Sequence, residues 1–180
     1  MRKKQAGILM TLCVVGLVAC TTVEDNMLGE KVDSMTACEK VQALVQGHKQ
    51  GFPALRGQQS TVKYMQIWRA KYHLAGEACQ IWGWGQGKFS YVCSILEPNK
   101  QVALAHFQTS KETVQACLGQ EWQSSEMPRQ NGEGLRMDVS KPGEKTTITI
   151  MAAATETLMK DEWRTYFFVG DPNDTIQMGK

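Results

Sequence analysis

The sequence predicts an α+β domain: an antiparallel sheet of about six strands in two halves, each a helix followed by three strands, with both helices on one face and two disulfides. Three observations point there. Two segments, one from Thr36 and one from Asn99, carry apolar residues at helical spacing. Each is followed by short stretches with strand-like alternation, joined by turns short enough to require antiparallel neighbours. Four cysteines fall one in each helical segment and two in one hairpin.

Taken in order, Thr36 followed by Glu39 forms a capping box, and Cys38, Val41, Val45 and His48 share one face of the first helix. Residues 67–74 alternate, with Trp68, Ala70, Tyr72 and Leu74 on one side and Arg69, Lys71 and His73 on a wet side. Residues 78–84 and 88–95 alternate around Gly85, Gln86 and Gly87, the pattern of a hairpin. With Gln86 at its apex, Cys79 faces Cys93, Ile81 faces Tyr91 and Gly83 faces Phe89, all on one side because side chains repeat every second residue. The second helix runs from Asn99 to Leu118, with Ala103, Phe107, Val114 and Cys117 inward and Gly119 as its stop. Leu135, Met137 and Val139, a turn at Lys141, Pro142 and Gly143, then residues 147–150 make a second hairpin. Residues 162–169 supply the last strand, and 171–180 form a tail without pattern. The domain is expected over residues 34–170.

The N-terminal segment sets the expected address. Arg2, Lys3 and Lys4 precede an apolar run over residues 7–18, a secretory pattern too short to be a spanning helix, which needs about 20 apolar residues. The run ends in Leu17, Val18, Ala19 and Cys20, and this tetrapeptide resembles the lipobox of bacterial lipoprotein signals. The resemblance covers residues 1–22 only. It implies removal of residues 1–19 and acylation of Cys20 by diacylglyceryl and palmitate-type chains, which together hold a protein firmly to a bilayer. Thr21 and Thr22, where Asp favours retention in the inner membrane, imply a lipid anchor in the outer membrane on its periplasmic side. Residues 20–33 then read as the acylated Cys and a flexible polar tether.

Export places Cys38, Cys79, Cys93 and Cys117 in an oxidising setting, where four cysteines form two disulfides in one of three connectivities. The hairpin register favours Cys79 with Cys93, which leaves Cys38 with Cys117 as a staple between the helices. A metal or thiol site would bring CxxC or HxxxH spacing, and the chain has neither. No metal and no cofactor is implied.

Removing residues 1–19 takes three of the 20 Lys and Arg, leaving 17 against 18 Asp and Glu, a net charge of −1. A near-neutral domain without basic clusters lacks the electrostatic footprint of a nucleic-acid binder. The sequence also lacks a GxSxG elbow, and holds His48, His73 and His106 as its possible bases. His48 is expected in packing or capping, His106 outward and His73 on a wet strand face. An envelope hydrolase would have to assemble His73, His106, Asp138 or Glu133 in three dimensions.

The interaction feature is Trp82 with Trp84, beside Lys88. The hairpin register puts both indoles opposite the cysteine face, as an exposed patch or beneath a cover such as residues 122–134. The expected function is therefore a non-catalytic module that binds a periplasmic or envelope protein, as an inhibitor, immunity factor or assembly accessory. Glycan binding through the same indoles is the alternative.

Overall fold

In the computed structural model, which describes residues 32–62, 65–71, 73, 77–156 and 161–171, two helix-plus-meander units meet at their last strands. Helix α1 (Ala37–Gln50) and a 3-10 turn (Pro53–Leu55) precede β1 (Arg56–Val62), β2 (Met65–Ala70), β3 (Gln80–Gly85) and β4 (Lys88–Glu97). Helix α2 (Lys100–Cys117) precedes β5 (Gln123–Pro128), β6 (Gly134–Ser140), β7 (Thr147–Glu156) and β8 (Asp161–Gly170). The sheet order is β1-β2-β3-β4-β8-β7-β6-β5, and all neighbours are antiparallel. Residues 35–180 form one unit and residues 1–34 another. Cys20, the segment 1–19, most of the tether and the tail from 172 lie outside the described residues, as do Tyr72 and Leu74.

The α+β class, the antiparallel pairing and both disulfides match the expectation, but the sheet has eight strands instead of about six. The two additional strands, β1 and β5, are its edges. Their sequences, RGQQSTV and QSSEMP, carry no apolar alternation because an edge strand has little core to face. One row of paired residues makes the point: Gln59, Trp68, Ile81, Tyr91, Val169, Ile148, Val139 and Ser124 run across the sheet in order. The six central members are buried and the two edge members are polar.

That row faces the helices. Thr165 donates through Oγ1 to the Ala103 carbonyl of α2, and Phe52, just after α1, packs on Tyr91 with ring centroids 6.0 Å apart. Val41, Leu44 and Val45 of α1 and Ala103, Phe107 and Val114 of α2 complete the core. The capping box at α1 is formed, with Thr36 Oγ1 accepting from Glu39 N and Glu39 Oε2 accepting from Thr36 N at 2.7 Å. Asn99 caps α2 by accepting from Val102 N at 3.0 Å. Arg56 closes the far end of α1. Its guanidinium donates twice to the Gly51 carbonyl, at 2.6 and 3.1 Å, and lies over the Phe89 and Trp68 rings. A cation at a helix C-terminus and over aromatic faces is favourable on both counts.

The β3–β4 register agrees with the sequence pattern for Ile81 with Tyr91 and Gly83 with Phe89. Closer to the turn it shifts by one, so that Gly85 pairs with Lys88 across a two-residue turn. Gln86 (φ 53°) and Gly87 (φ 75°) are both left-handed there, as a type I′ hairpin turn requires. Cys79 is bonded to Cys93 and Cys38 to Cys117, the latter closing a separation of 79 residues with Cα atoms 4.7 Å apart. Cys38 is at the start of α1 and Cys117 at the end of α2, so the bond joins opposite helix ends. Replacing both Cys38 and Cys117 by Ser is expected to lower unfolding stability by about 2–5 kcal/mol, because the unfolded chain regains the freedom of a long loop. Urea titration with and without reductant measures it; a double variant as stable as the oxidised protein would contradict a structural role for this bond.

Candidate functional site

Residues that are paired across strands share a face, so register assigns every strand residue to one of two sides. The side away from the helices carries Ile67, Trp82 and Ser90 in one row and Arg69, Gln80, Val92, Phe168, Thr149, Asp138 and Ser125 in the next. Ser94, Tyr166, Met151, Arg136 and Met127 form a third row. Among the described residues, neither α-helix packs on this side.

Trp82 and Trp84 meet edge to face, with ring centroids 5.6 Å apart and planes at 73°. Both are half-buried, and Lys88 is exposed beyond the turn at the same end. Each indole N–H is satisfied internally: Trp82 Nε1 donates to Gln80 Oε1 at 2.7 Å and Trp84 Nε1 to Ser90 Oγ at 2.8 Å. The polar edges are thus anchored to the sheet, and the rings are left to make apolar contact. The 122–134 segment does not cover them. Its strand β5 pairs with β6 at the opposite edge of the sheet from β3.

Next to Trp82, a groove of about 500 Å³ is lined by Gln58, Gln59, Ser60, Arg69, His73 and Gln80, with Ile67 in its wall. Gln80 belongs both to this groove and to the indole hydrogen bond. The amides from β1 were invisible to sequence reasoning because β1 itself was not recognised. The other half of the same face is organised by charge instead. Arg136 Nε donates to both Asp138 carboxylate oxygens at 2.9 and 3.0 Å, and the buried Thr149 hydroxyl donates to Asp138 Oδ1 at 2.6 Å. In between, Phe168 is fully buried. Gly170 leaves room beside it, since a Cβ there would meet Ser90 Oγ at 2.5 Å and the Phe168 ring at 2.7 Å.

The candidate acid–base residues are dispersed. His73 is exposed in the amide groove. Glu133 pairs with Lys100, and Asp138 with Arg136, so neither meets a histidine. His48 Nδ1 is hydrogen-bonded to Thr146 Oγ1 at 2.8 Å and its ring packs near Phe52, which is the packing role expected of it. His106 points outward as expected, and it has a partner that sequence spacing does not nominate. Its Nδ1 donates to Glu97 Oε1 at 2.7 Å, although 49% of its own side chain remains exposed, and the Glu97 side chain is 2% exposed. The histidine borders a second cleft that also contains Ser110, yet the imidazole's hydrogen-bond partner is Glu97 and not that hydroxyl. Sequence reasoning missed the pair because Glu97 ends a strand and His106 lies two turns into the next helix. Among the described residues, no cluster of three His, Cys, Asp or Glu side chains is placed to hold a metal, and no helix is long and apolar enough to cross a membrane.

No protein family matches this chain, and neither a curated protein nor a solved structure shows significant similarity to it.

Burial holds the His48 imidazole below its ordinary pKa of 6.5, with attraction to Asp171 opposing. A base whose pKa is lowered by folding favours the native state while neutral, so this contribution is complete above pH of about 6.5 and declines as pH falls from there toward the folded-state pKa. His48→Gln, which keeps a polar partner for Thr146, is expected to lose less stability than wild type between pH about 7.5 and 5. Denaturant midpoints at the two pH values provide the comparison, and equal losses would contradict it.

Proposed function

We propose that this protein is a lipid-anchored envelope protein whose folded domain is a non-catalytic protein-binding module. Cys20 carries the acyl chains that hold it to the outer membrane, residues 21–33 tether it, and the helix-free side of the sheet meets a periplasmic protein. Inhibition, immunity or assembly of that partner is the class of role. The observation that carries this reading is the Trp82–Trp84 pair, edge to face on a sheet side that neither helix covers, with both N–H groups already bonded within the domain. Rings held this way lose little side-chain freedom on association and need no new polar partner, and Trp is enriched among residues that dominate interface energy. The disulfides support the exported setting, since such bonds persist where thiols oxidise.

Capture from crosslinked envelopes is the test. Wild type is expected to retain one specific envelope protein, and the double variant Trp82→Ala, Trp84→Ala to weaken that capture at least tenfold, about 1.4 kcal/mol, while still giving a cooperative unfolding transition. Capture that is unchanged in the folded double variant removes this reading. Mass spectrometry of the mature N-terminal peptide tests the anchor; an unmodified Cys20 overturns that part alone.

Glycan binding is favoured by one observation of its own, the groove of Gln58, Gln59, Arg69 and Gln80 beside Trp82. Amides and a guanidinium beside an aromatic plane suit the hydroxyls and ring faces of a sugar. Cosedimentation with purified sacculi, lost on Gln80→Ala, separates this reading from the first.

A further inference from the structure

The helix side of the domain holds a second cleft, independent of the tryptophan face. It has a volume of about 380 Å³, within the roughly 300–1,000 Å³ usual for small-molecule sites. Its floor is apolar and closed to solvent: Val41 from α1, Val114 from α2, and Cys93 and Phe167 from β4 and β8 are all buried, with Ile95 beside them. Its rim is polar and open, formed by Lys40 of α1 and by His106, Thr109, Ser110 and Thr113 of α2.

The gap has a cause in the sequence. The α2 residues that border it, Thr109, Ser110 and Thr113, are too short to fill it, and Ala37 contributes little from α1. The helices are prevented from sliding to close it, because Cys38 and Cys117 bond α1 to α2 one turn from Ala37, Val41, Thr113 and Val114. A pre-formed cleft of this kind costs a ligand little reorganisation.

Charge selects the ligand. The Glu97 carboxylate accepts a hydrogen bond from His106 Nδ1 at 2.7 Å and is buried outside the lining of the cleft. Lys40 forms no ion pair among the described residues and is the unanswered charge at the rim. An apolar floor beneath one uncompensated ammonium, ringed by hydroxyls, is complementary to a molecule with an apolar body and one carboxylate. We propose that the cleft between α1 and α2 binds a small monocarboxylate of that kind, with its apolar part against Phe167 and Val114 and its carboxylate at Lys40.

The experiment uses the full chain in lipid nanodiscs, with methyl-labelled Ile and Val observed by NMR during titration with octanoate and, separately, phenylacetate. Saturable shifts confined to Val41, Ile95 and Val114 are expected with at least one of the two. Octanoate alone defines an acyl-chain site and phenylacetate alone an aryl-acid site; either outcome upholds the proposal. Lys40→Gln is expected to weaken the binding about tenfold and Lys40→Arg to preserve it, with lipid partitioning common to all three proteins. Ser110→Leu, which fills the cleft from a half-buried position on α2, is expected to abolish it. No saturable shift in wild type, equal affinity in Lys40→Gln, or undiminished binding in a folded Ser110→Leu protein overturns the proposal.

Discussion

The pairing of β4 with β8 is the constraint on which this domain depends. Seven residue pairs, from Tyr91 with Val169 to Glu97 with Trp163, join two four-stranded meanders that are otherwise separate units of local structure. Each meander ends in a strand whose helix-side face is apolar, and neither helix alone covers more than part of the sheet. Joined at β4 and β8, the two faces become one, and the row from Trp68 to Val139 is buried continuously beneath α1 and α2. Contacts of such long sequence separation carry a loop-closure cost before burial offsets it, which makes late assembly of the centre the natural order of folding. The Cys38–Cys117 bond spans a similar length of chain, so oxidation favours the same closure that the central pairing needs.

What could be read from residues alone follows how local the determining interaction is. Thr36 with Glu39, the start of the second helix at Asn99, and the Ile81–Tyr91 register are all set within a few residues or one hairpin, and each was legible. The strands β1 and β5 were not, because periodicity reports burial and these strands have almost none; their place is conferred by β2 and β6. The hairpin register was right in its body and off by one at its tip, where Gln86 accepts a positive φ that composition does not announce. The site was legible only where it lay on recognised strands. Trp82 and Trp84 could be placed opposite Cys79, whereas the amides of β1 and the Glu97–His106 pair arise from tertiary neighbours.

The two halves share a plan but differ in what they show. On the helix-free side the first half presents indoles, amides and Arg69, and the second presents the closed Arg136, Asp138 and Thr149 network. A carboxylate that accepts from one Nε–H at both oxygens and from a buried hydroxyl at one of them has most of its acceptor sites occupied. The two ends of the face thus differ in chemistry, with indoles and amides in the first half and an ion-paired carboxylate in the second.

The two sides of the sheet are coupled less than their proximity implies. Alternation sends Gln80 and Trp82 to one side while Ile81 goes to the other, and Val92 to one side while Cys93 goes to the other, so adjacent residues serve different environments through a shared backbone. That backbone is hydrogen-bonded to neighbours on both edges of each central strand and bridged by Cys79–Cys93 at the β3–β4 hairpin, which stiffens it. A stiff middle layer lets the outer face vary in its aromatic and amide groups without disturbing the cleft between the helices. It also lets α1 and α2 hold a gap over Phe167 without loosening the opposite face, because the strands do not rely on that gap being filled.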